Sequence, residues 1–259
     1  MTGYWSQTPL GIAHRGSRLL WPENTLVAFA GAKSSGVGCF ETDVRVTRDG
    51  VLVCFHDARL DRTTEGSGDL AAASWEQVRG LDAGYHHRLP SGYSFRGQGI
   101  SIPRLAEVLH AHREVGLVVD LKADATVEPL AQLLAEAKME DRVIVGSFSE
   151  SRLARFRRIT GGRVGTSAGP GAIIRALLSH SRAPLDRLLE GPARAFQVPV
   201  SWYGVRVVTS SFVRRVHAAG KQVQVWTVNH PEEMKRFIDM GVDGIITDRP
   251  DLFSPLIAS

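Results

Sequence analysis

The chain has 259 residues, of which 43% are hydrophobic and 22% are charged, and these values fit one large α/β domain with a sizeable core. Its net charge of +4 is spread along the chain, which favours a solvated surface over a nucleic-acid interface. Two cysteines exclude a disulfide framework, and without an apolar run of about 18 residues or an evident signal peptide we expect a cytoplasmic protein with no stable membrane insertion.

The first predicted element is a short buried strand over Gly11–His14, which ends in a histidine followed by a cation, Arg15. A helix is predicted to begin at the PENT tetrapeptide, residues 22–25. Asn24 or Thr25 is the expected N-cap, because such side chains accept hydrogen bonds from the first free amides of a helix.

The next strand carries two acidic residues. It is predicted over Gly36–Val46, and a tight turn sends a second apolar run, Val51–Phe55, back along it as a hairpin. Glu41 and Asp43 are two residues apart, so both carboxylates point to the same side of the strand. The hairpin partner ends in His56. Two histidines and two carboxylates therefore lie on the first strands of the chain or at their ends.

The rest of the chain alternates between helices and strands. Residues 57–102 are irregular and rich in Gly, Asp, Ser and Arg, with one short helix predicted near Ser74–Gly80. Helices are then predicted over 104–114, 127–138, 150–159, 172–179, 211–219 and 232–240. Eight strands result, near residues 12, 41, 118, 144, 164, 197, 225 and 246. Eight such units predict a single α/β domain over 1–259 with the architecture of a (β/α)8 TIM barrel; no glycine-rich nucleotide loop occurs.

The acidic pair is a candidate metal site. Two like charges in a barrel interior are costly unless a cation compensates them, and oxygen ligands suit a divalent cation. The strand near 118 places Asp120 and Lys122 on one side, so Asp120 can complete a three-carboxylate site and Lys122 can hold an anionic oxygen. The alternative is an ion-pair cluster without a metal, and the sequence leaves both open.

Two histidines are candidate catalysts. His14 and His56 titrate near neutrality when unperturbed, so one can act as base and the other as acid. Arg15 offers a planar fork suited to phosphate. Trp226 is either a wall for the substrate or a core residue, and the sequence leaves both readings open.

Four further features are expected to play supporting roles. Asp57 either orients a histidine or ends its strand, and these alternatives stay open. Asp248 is expected to be structural, Asn229 a loop or capping residue, and the tract at 60–64, LDRTT, loop support.

The chain resembles the glycerophosphodiester phosphodiesterases over about residues 10–253. No single motif decides the match, but their order and spacing together are specific. The matching segments are AHRG at 13–16, PENT at 22–25, ETDV at 41–44, FHD at 55–57, LDRTT at 60–64, IPRLAEVL at 102–109, DLK at 120–122, WTVN at 226–229 and DGIITDRP at 243–250.

The resemblance implies a TIM barrel with a small insertion after the hairpin strand. It also implies a set of site residues by position: His14 and His56 as the acid/base pair, Glu41 and Asp43 as metal ligands, and Arg15 and Lys122 as phosphate contacts. The third ligand is a glutamate in many members and is Asp120 here, which bears on the choice between Mg²⁺ and Ca²⁺.

The expected activity is metal-dependent hydrolysis of glycerophosphodiesters, such as glycerophosphocholine or glycerophosphoethanolamine, to glycerol 3-phosphate and an alcohol. The sequence does not assign acid and base between the histidines, nor whether water or the glycerol 2-hydroxyl attacks. One rival is a lysophospholipase-D-like hydrolase of lysolipids that uses the same site; it needs an apolar groove or a membrane-binding surface, and the sequence shows no evident aromatic-rich exposed segment. The other rival is a barrel that binds an anion without turnover.

Overall fold

The structure is a computed structural model that describes Trp5 and residues 8–178 and 193–257. Eight parallel strands close into a barrel within these residues, because the first strand pairs with both the second and the last. In barrel order the strands are β1 Leu10–Ala13, β2 Cys39–Val46, β4 Gly116–Leu121, β5 Val143–Gly146, β6 Gly165–Ser167, β7 Ala193–Pro199, β10 Gln222–Trp226 and β11 Gly244–Thr247. All eight strands predicted from the sequence are confirmed.

Within the described residues, three further strands lie outside the barrel. β3, Leu52–Cys54, pairs antiparallel with β2, and Val44 lies opposite Cys54, which confirms the predicted hairpin. β8, Ser201–Trp202, and β9, Val205–Arg206, form a separate two-stranded hairpin after β7.

Helices lie between the barrel strands along the chain and after the last of them. They are α1 Leu26–Ser34, α2 Trp75–Val78, α3 Leu105–Ala111, α4 Val127–Ala137, α5 Glu150–Thr160, α6 Pro170–Leu178, α7 Ser210–Ala218, α8 Pro231–Asp239 and α9 Pro250–Ile257. The Thr25 hydroxyl caps α1 by accepting a hydrogen bond from the Ala28 amide at 3.2 Å, so Thr25, not Asn24, is the cap. The predicted end of α6 at Ser179 lies outside the described residues. In the described part of the chain, no helix has the length and apolar character needed to cross a membrane.

Side chains alternate between the two sides of the barrel wall. Phe40, Val44 and Leu117 point outward and pack in the layer between strands and helices. The residues that point inward at the lower end of the barrel form a smaller apolar cluster, which includes Ile12, Cys39, Val118, Ile144, Ala195 and Ile246. Removing these surfaces from water stabilises the fold by roughly 25 cal/mol per Å² of apolar area.

The irregular segment after β3 has a small apolar core of its own. Val53, Leu60, Leu70 and Ile102 are buried together there. Its short helix α2 begins with a capping box, in which Ser74 and Gln77 satisfy each other's backbone amides. The segment predicted as an insertion therefore packs around its own apolar core, which includes Val53 of the hairpin strand β3.

Candidate active site

A cavity of about 270 Å³ opens at the carboxyl ends of the barrel strands. This is the end at which parallel barrels carry their chemistry. The cavity is lined by every residue to which the sequence assigned a catalytic, substrate-binding or metal-binding role: His14, Arg15, Glu41, Asp43, His56, Asp120, Lys122 and Trp226. The structure thus brings all these residues together.

Strand parity places the charged residues. Glu41 and Asp43 point inward from β2, and Asp43 lies in register with Asp120 of β4. Lys122 follows β4 by one residue and shares the parity of Asp120. The predicted arrangement of two carboxylates on one strand, with a third and a lysine on its neighbour, is confirmed as geometry.

The turn after β1 positions Arg15. Residues His14–Gly16 form a tight turn in which Arg15 and Gly16 have left-handed backbone conformations, with φ of 51° and 73°. A Cβ on Gly16 would lie 2.7 Å from the Cβ of Ala28, so only glycine fits there. The turn directs the Arg15 amide toward Glu41, whose Oε2 accepts its hydrogen bond at 2.9 Å.

An ion-pair network joins the cations to the carboxylates. The Lys122 ammonium lies 2.9 Å from Asp43 Oδ1 and 2.5 Å from Asp120 Oδ2. Arg15 Nε lies 3.2 Å from Asp43 Oδ2, although its N–H is not aligned for a hydrogen bond. Burial by itself would raise the pKa of Asp43, but Lys122 and Arg15 outweigh it and hold that pKa below its ordinary value. Asp43 is therefore a fully ionised centre of this network.

Glu41 behaves in the opposite way. Burial and the neighbouring charge of Asp43 raise the pKa of Glu41 to about 7, in spite of His14 and Arg15. The cavity therefore holds one carboxylate that is well compensated and one that needs more positive charge to be ionised at neutral pH.

The three carboxylates of the cavity differ in how well they suit a divalent cation. They offer only oxygen ligands, which Mg²⁺ and Ca²⁺ prefer, and the raised pKa of Glu41 marks a place where added positive charge is favourable. Asp120, however, contacts the Lys122 ammonium. Across Trp5, 8–178 and 193–257, no group of three or more histidine, cysteine or acidic side chains is placed to hold an ion. The donor chemistry of Glu41 and Asp43 fits, and Asp120 would have to exchange Lys122 for the cation.

His14 is held by a carboxylate at the end of the last strand. Its Nδ1 lies 2.7 Å from Asp248 Oδ1, and Asp248 is fully buried. Asn229 donates to Asp248 Oδ2 at 3.0 Å and accepts from the Asp248 amide at 2.8 Å, and Arg18 Nε donates to the same carboxylate at 3.1 Å. The sequence predicts only a structural role for Asp248, whereas in the structure its carboxylate also orients His14.

The contact between His14 and Asp248 follows from the pairing of the first and last strands. Ala13 and Thr247 are paired between β1 and β11, so the residues that follow them, His14 and Asp248, are neighbours once the barrel closes. Asn229, which the sequence suggested as a loop or capping residue, buttresses that pair.

His56 is held by its neighbour in sequence. Its Nδ1 lies 2.5 Å from Asp57 Oδ1, so of the two alternatives for Asp57 the structure favours orientation of the histidine. Arg62 of the LDRTT tract donates to Asp57 Oδ2 and, at 2.6 and 2.8 Å, to Glu23. Burial lowers the pKa of His56, although Asp43 and Asp57 oppose this, so the neutral imidazole is favoured.

Asn24 is a site residue that the sequence analysis assigned only as a candidate helix cap. It has a φ of 59° and is buried, a conformation that asparagine tolerates better than most residues. Its Nδ2 donates to Asp43 Oδ2 at 3.0 Å, and its Oδ1 accepts from the Thr42 hydroxyl at 2.8 Å. Its backbone amide donates to the Arg15 carbonyl at 2.8 Å. Asn24 therefore ties the arginine turn to the acidic strand.

One side of the cavity is apolar. Trp226 lines it and also packs on the inner apolar cluster. Its position therefore agrees in part with each alternative, a wall for the substrate and a core residue. Phe148, 66% exposed, meets Trp226 edge to face with ring centroids 6.1 Å apart, and Trp202, 41% exposed, also lines the cavity. Tyr203 beside it is 95% exposed. The expectation that no aromatic-rich exposed segment exists was wrong, because the β8–β9 hairpin is one.

Comparison with known proteins gives consistent results. The model of the glycerophosphoryl diester phosphodiesterase family matches residues 14–252. A Mycobacterium tuberculosis protein named "Probable glycerophosphodiester phosphodiesterase 2" is 38% identical over 252 residues, which cover 96% of this chain and 90% of that relative. A Bacillus altitudinis protein named glycerophosphodiester phosphodiesterase is 30% identical over 248 residues, covering 92% and 94% of the two chains.

Solved structures show the same fold. An Oleispira antarctica phosphodiesterase, described in complex with the product sn-glycerol-3-phosphate, is 26% identical, with a TM-score of 0.79 and 97% of each chain covered. A Silicibacter pomeroyi protein named "Putative glycerophosphoryl diester phosphodiesterase" is also 26% identical with a TM-score of 0.79, covering 96% of this chain and 92% of the other. The family match, the barrel and the resemblance read from the motifs agree. The chain belongs to the glycerophosphoryl diester phosphodiesterase family and is a phosphoric diester hydrolase.

Proposed function

We propose that this protein hydrolyses glycerophosphodiesters, such as glycerophosphocholine or glycerophosphoethanolamine, to glycerol 3-phosphate and an alcohol. The observation that carries the proposal is that two histidines, each held at Nδ1 by a carboxylate, line one cavity together with Arg15 and Lys122. The complex of the Oleispira relative with sn-glycerol-3-phosphate supports the glycerol phosphate half of the substrate.

Arg15 and Lys122 suit the phosphoryl group. Arg15 lines the cavity with its Nε ion-paired to Asp43 and its Nη1 donating to Glu23, so its guanidinium is a fixed positive charge at the cavity wall. Lys122 is held by Asp43 and Asp120 and adds a second fixed positive charge. Fixed donors of this kind stabilise charge that develops on the phosphoryl oxygens in the transition state.

The histidines supply proton transfer. Because Asp248 and Asp57 each engage Nδ1, the Nε2 atom of either imidazole is left for the substrate. The lowered pKa of His56 favours its neutral form, which accepts a proton from the attacking hydroxyl. His14, backed by the buried Asp248 carboxylate, then donates a proton to the leaving alkoxide.

Glu41, Asp43 and Asp120 are the residues that would hold a divalent cation, Mg²⁺ or Ca²⁺. When bound, such a cation supplies charge neutralisation for the phosphoryl oxygens. The protein's own contribution is to keep Asp43 ionised through Lys122 and Arg15, and to keep Glu41 beside it in a position where positive charge is favourable.

The test is release of glycerol 3-phosphate from glycerophosphocholine by the purified protein. It is run after chelation and again after Mg²⁺ or Ca²⁺ is added back, with His14→Ala and Glu41→Ala alongside. Activity that the cation restores and that both variants lack supports the proposal. Full activity in the chelated enzyme contradicts the metal requirement, and full activity in His14→Ala contradicts the acid–base pair.

The apolar side of the cavity favours a second candidate, hydrolysis of lysolipids by the same residues. Phe148 and Trp202 are exposed at its rim, and an acyl chain could lie against them. The test compares kcat/KM for lysophosphatidylcholine and glycerophosphocholine in wild type and Trp202→Ala. This candidate predicts that the variant loses mainly the lysolipid activity, and equal losses on both substrates contradict it.

Three broader expectations stay predictions. They are a cytoplasmic location, a single domain over residues 1–259 and the absence of nucleic-acid partners.

A further inference from the structure

A second cavity, of about 240 Å³, lies beside the active site and opens to the surface. It is formed by the chain after β1, the LDRTT tract and part of the insertion. Its wall carries three arginines and two histidines against one carboxylate: Arg18, Arg62, Arg88, His86, His87 and Glu23. Its volume is below that of a typical pocket for a drug-sized molecule, which suits a small ligand.

The positive charge of this wall is only partly compensated. Glu23 is shared, because Oε1 accepts from Arg15 at 3.0 Å and both of its oxygens accept from Arg62. Among the residues that the structure describes, Arg18 donates to Asp248 through Nε alone. Arg88 is exposed and, within the described residues, pairs with no carboxylate; its guanidinium lies 5.8 Å from the Tyr93 ring.

Two further residues of the wall hold buried polar atoms without a partner. Thr63 Oγ1 and His87 Nε2 are buried and make no hydrogen bond to any residue that the structure describes. Buried polar groups in folded proteins are nearly always satisfied. Because both atoms are closed to solvent, they reach a ligand in the cavity only after their side chains turn toward it, so the arginines are the primary contacts for an anion.

We propose that this cavity binds a phosphate dianion, either a phosphate monoester or inorganic phosphate, and that its occupancy slows turnover at the neighbouring active site. Arginine forks from separate segments match the several oxygens of such an anion. The reaction proposed above releases a phosphate monoester, so the product itself belongs to the class that the cavity would bind.

The coupling runs through the arginines that the two sites share. Arg18 donates to Asp248, which holds His14, and Arg62 donates to Asp57, which holds His56. Arg62 already uses all three guanidinium nitrogens, on Asp57 and Glu23. An anion bound to Arg62 therefore competes with these carboxylates and loosens the support of His56.

Binding is tested first, by calorimetric titration with inorganic phosphate and, separately, with glycerol 3-phosphate. The variants are Arg88→Ala and, as a control, Arg79→Ala, which removes an exposed arginine of α2 that pairs with Glu76. Loss of one charge-assisted contact should weaken binding about tenfold in Arg88→Ala and leave Arg79→Ala like wild type. No phosphate binding, or equal affinities in the two variants, overturns the proposal.

The effect on turnover rests on the proposed function and is tested separately. At saturating substrate an anion that competes in the active site has no effect, so a fall in kcat that Arg88→Ala does not share reports the second cavity. The kcat of wild type and Arg79→Ala should fall about fivefold with bound anion, while that of Arg88→Ala should not. An unchanged wild-type kcat overturns the coupling. If no substrate is turned over, the proposed function fails, and the calorimetry still decides whether the cavity binds phosphate.

The two titrants identify the source of the anion. A lower dissociation constant for glycerol 3-phosphate at the Arg88-dependent site supports feedback by a phosphate monoester. A lower constant for inorganic phosphate supports sensing of free phosphate instead.

Discussion

Cys39 and Glu41 point into the same barrel from the same strand, yet Cys39 lies in an apolar cluster and Glu41 in a charged cavity. Val118 and Asp120 on β4 differ in the same way. A step of two residues along a strand, about 6.6 Å, separates the two environments. The lower interior is filled by apolar packing, whereas the mouth holds charges that are buried because each is paired.

This comparison explains where the charged residues are tolerated. A carboxylate in the lower interior would meet Ile12, Ile144 and Ile246 and would have no donor, at a cost of several kcal/mol. At the mouth, Asp43 meets Lys122, Arg15 and Asn24. Stability and chemistry are therefore carried by adjacent layers of one barrel, and substitutions in each layer should have separable effects.

The largest expected effect is loss of catalysis without loss of fold. His14→Ala should lower kcat about 10³-fold, since general acid–base catalysis contributes about 10² to 10⁴. The midpoint of thermal unfolding should change little, because Asp248 keeps Asn229 and Arg18 as partners. Measurement of kcat with glycerophosphocholine and of thermal unfolding checks this. A fall in kcat below tenfold would remove His14 from the proton-transfer step.

The converse substitution lies in the lower interior. Ile144→Ala should lower the free energy of unfolding by about 2 to 4 kcal/mol, the usual cost of a core cavity, and leave kcat of the folded enzyme unchanged. The matched control is Ile174→Ala, the same deletion at a side chain that is 47% exposed, for which about 0.5 kcal/mol or less is expected. Urea unfolding measures both. Equal losses would show that the lower cluster does not carry the stability assigned to it.

The two layers also differ in how much of each the sequence predicts. The eight strands, the hairpin and the inward parity of Glu41 and Asp43 follow from apolar runs and a period of two, which are local properties. The confirmed elements are of this kind. The roles of the site residues and the bound cation stay predictions, because neither is a property of the backbone.

What local sequence patterns do not supply depends on contacts between distant segments. Asp248 reaches His14 only because the last strand pairs with the first. Asn24 reaches Asp43 through a left-handed backbone conformation, whereas its helix-start motif predicts a cap. Phe148 and Trp202 meet at the cavity only through the paths of two loops, and no periodicity reports a loop path.

A third prediction concerns the charge balance of the mouth in the chelated protein. The pKa of Glu41 is raised from 4.5 to about 7, so the folded state favours the protonated form. Its stabilising contribution is present below pH 4.5 and is lost as pH rises through about 7, by up to about 3 kcal/mol at 1.4 kcal/mol per pKa unit. Added Mg²⁺ or Ca²⁺ should restore stability more at pH 7.5 than at pH 5.

Thermal unfolding as a function of pH measures this contribution. Glu41→Gln should flatten the stability profile between pH 4.5 and 7. The control Glu232→Gln changes an exposed glutamate of α8 and should leave the profile unchanged. A profile in Glu41→Gln that matches wild type would mean that another group causes the pH dependence.

The smallest of these effects tests the link between the arginine turn and the acidic strand. Asn24→Gly removes the hydrogen bond to Asp43 while keeping the left-handed backbone without strain. A lost hydrogen bond to a charged group costs about 2 kcal/mol, so kcat/KM should fall roughly 30-fold if that bond holds Asp43 and Arg15 in place for the substrate. Asn24→Ala adds backbone strain and should lower the free energy of unfolding further, by about 1 kcal/mol. A loss of stability in Asn24→Gly without a fall in kcat/KM would contradict this role. Asn24 would then contribute to stability alone, like the residues of the lower interior, although it contacts Asp43 at the mouth.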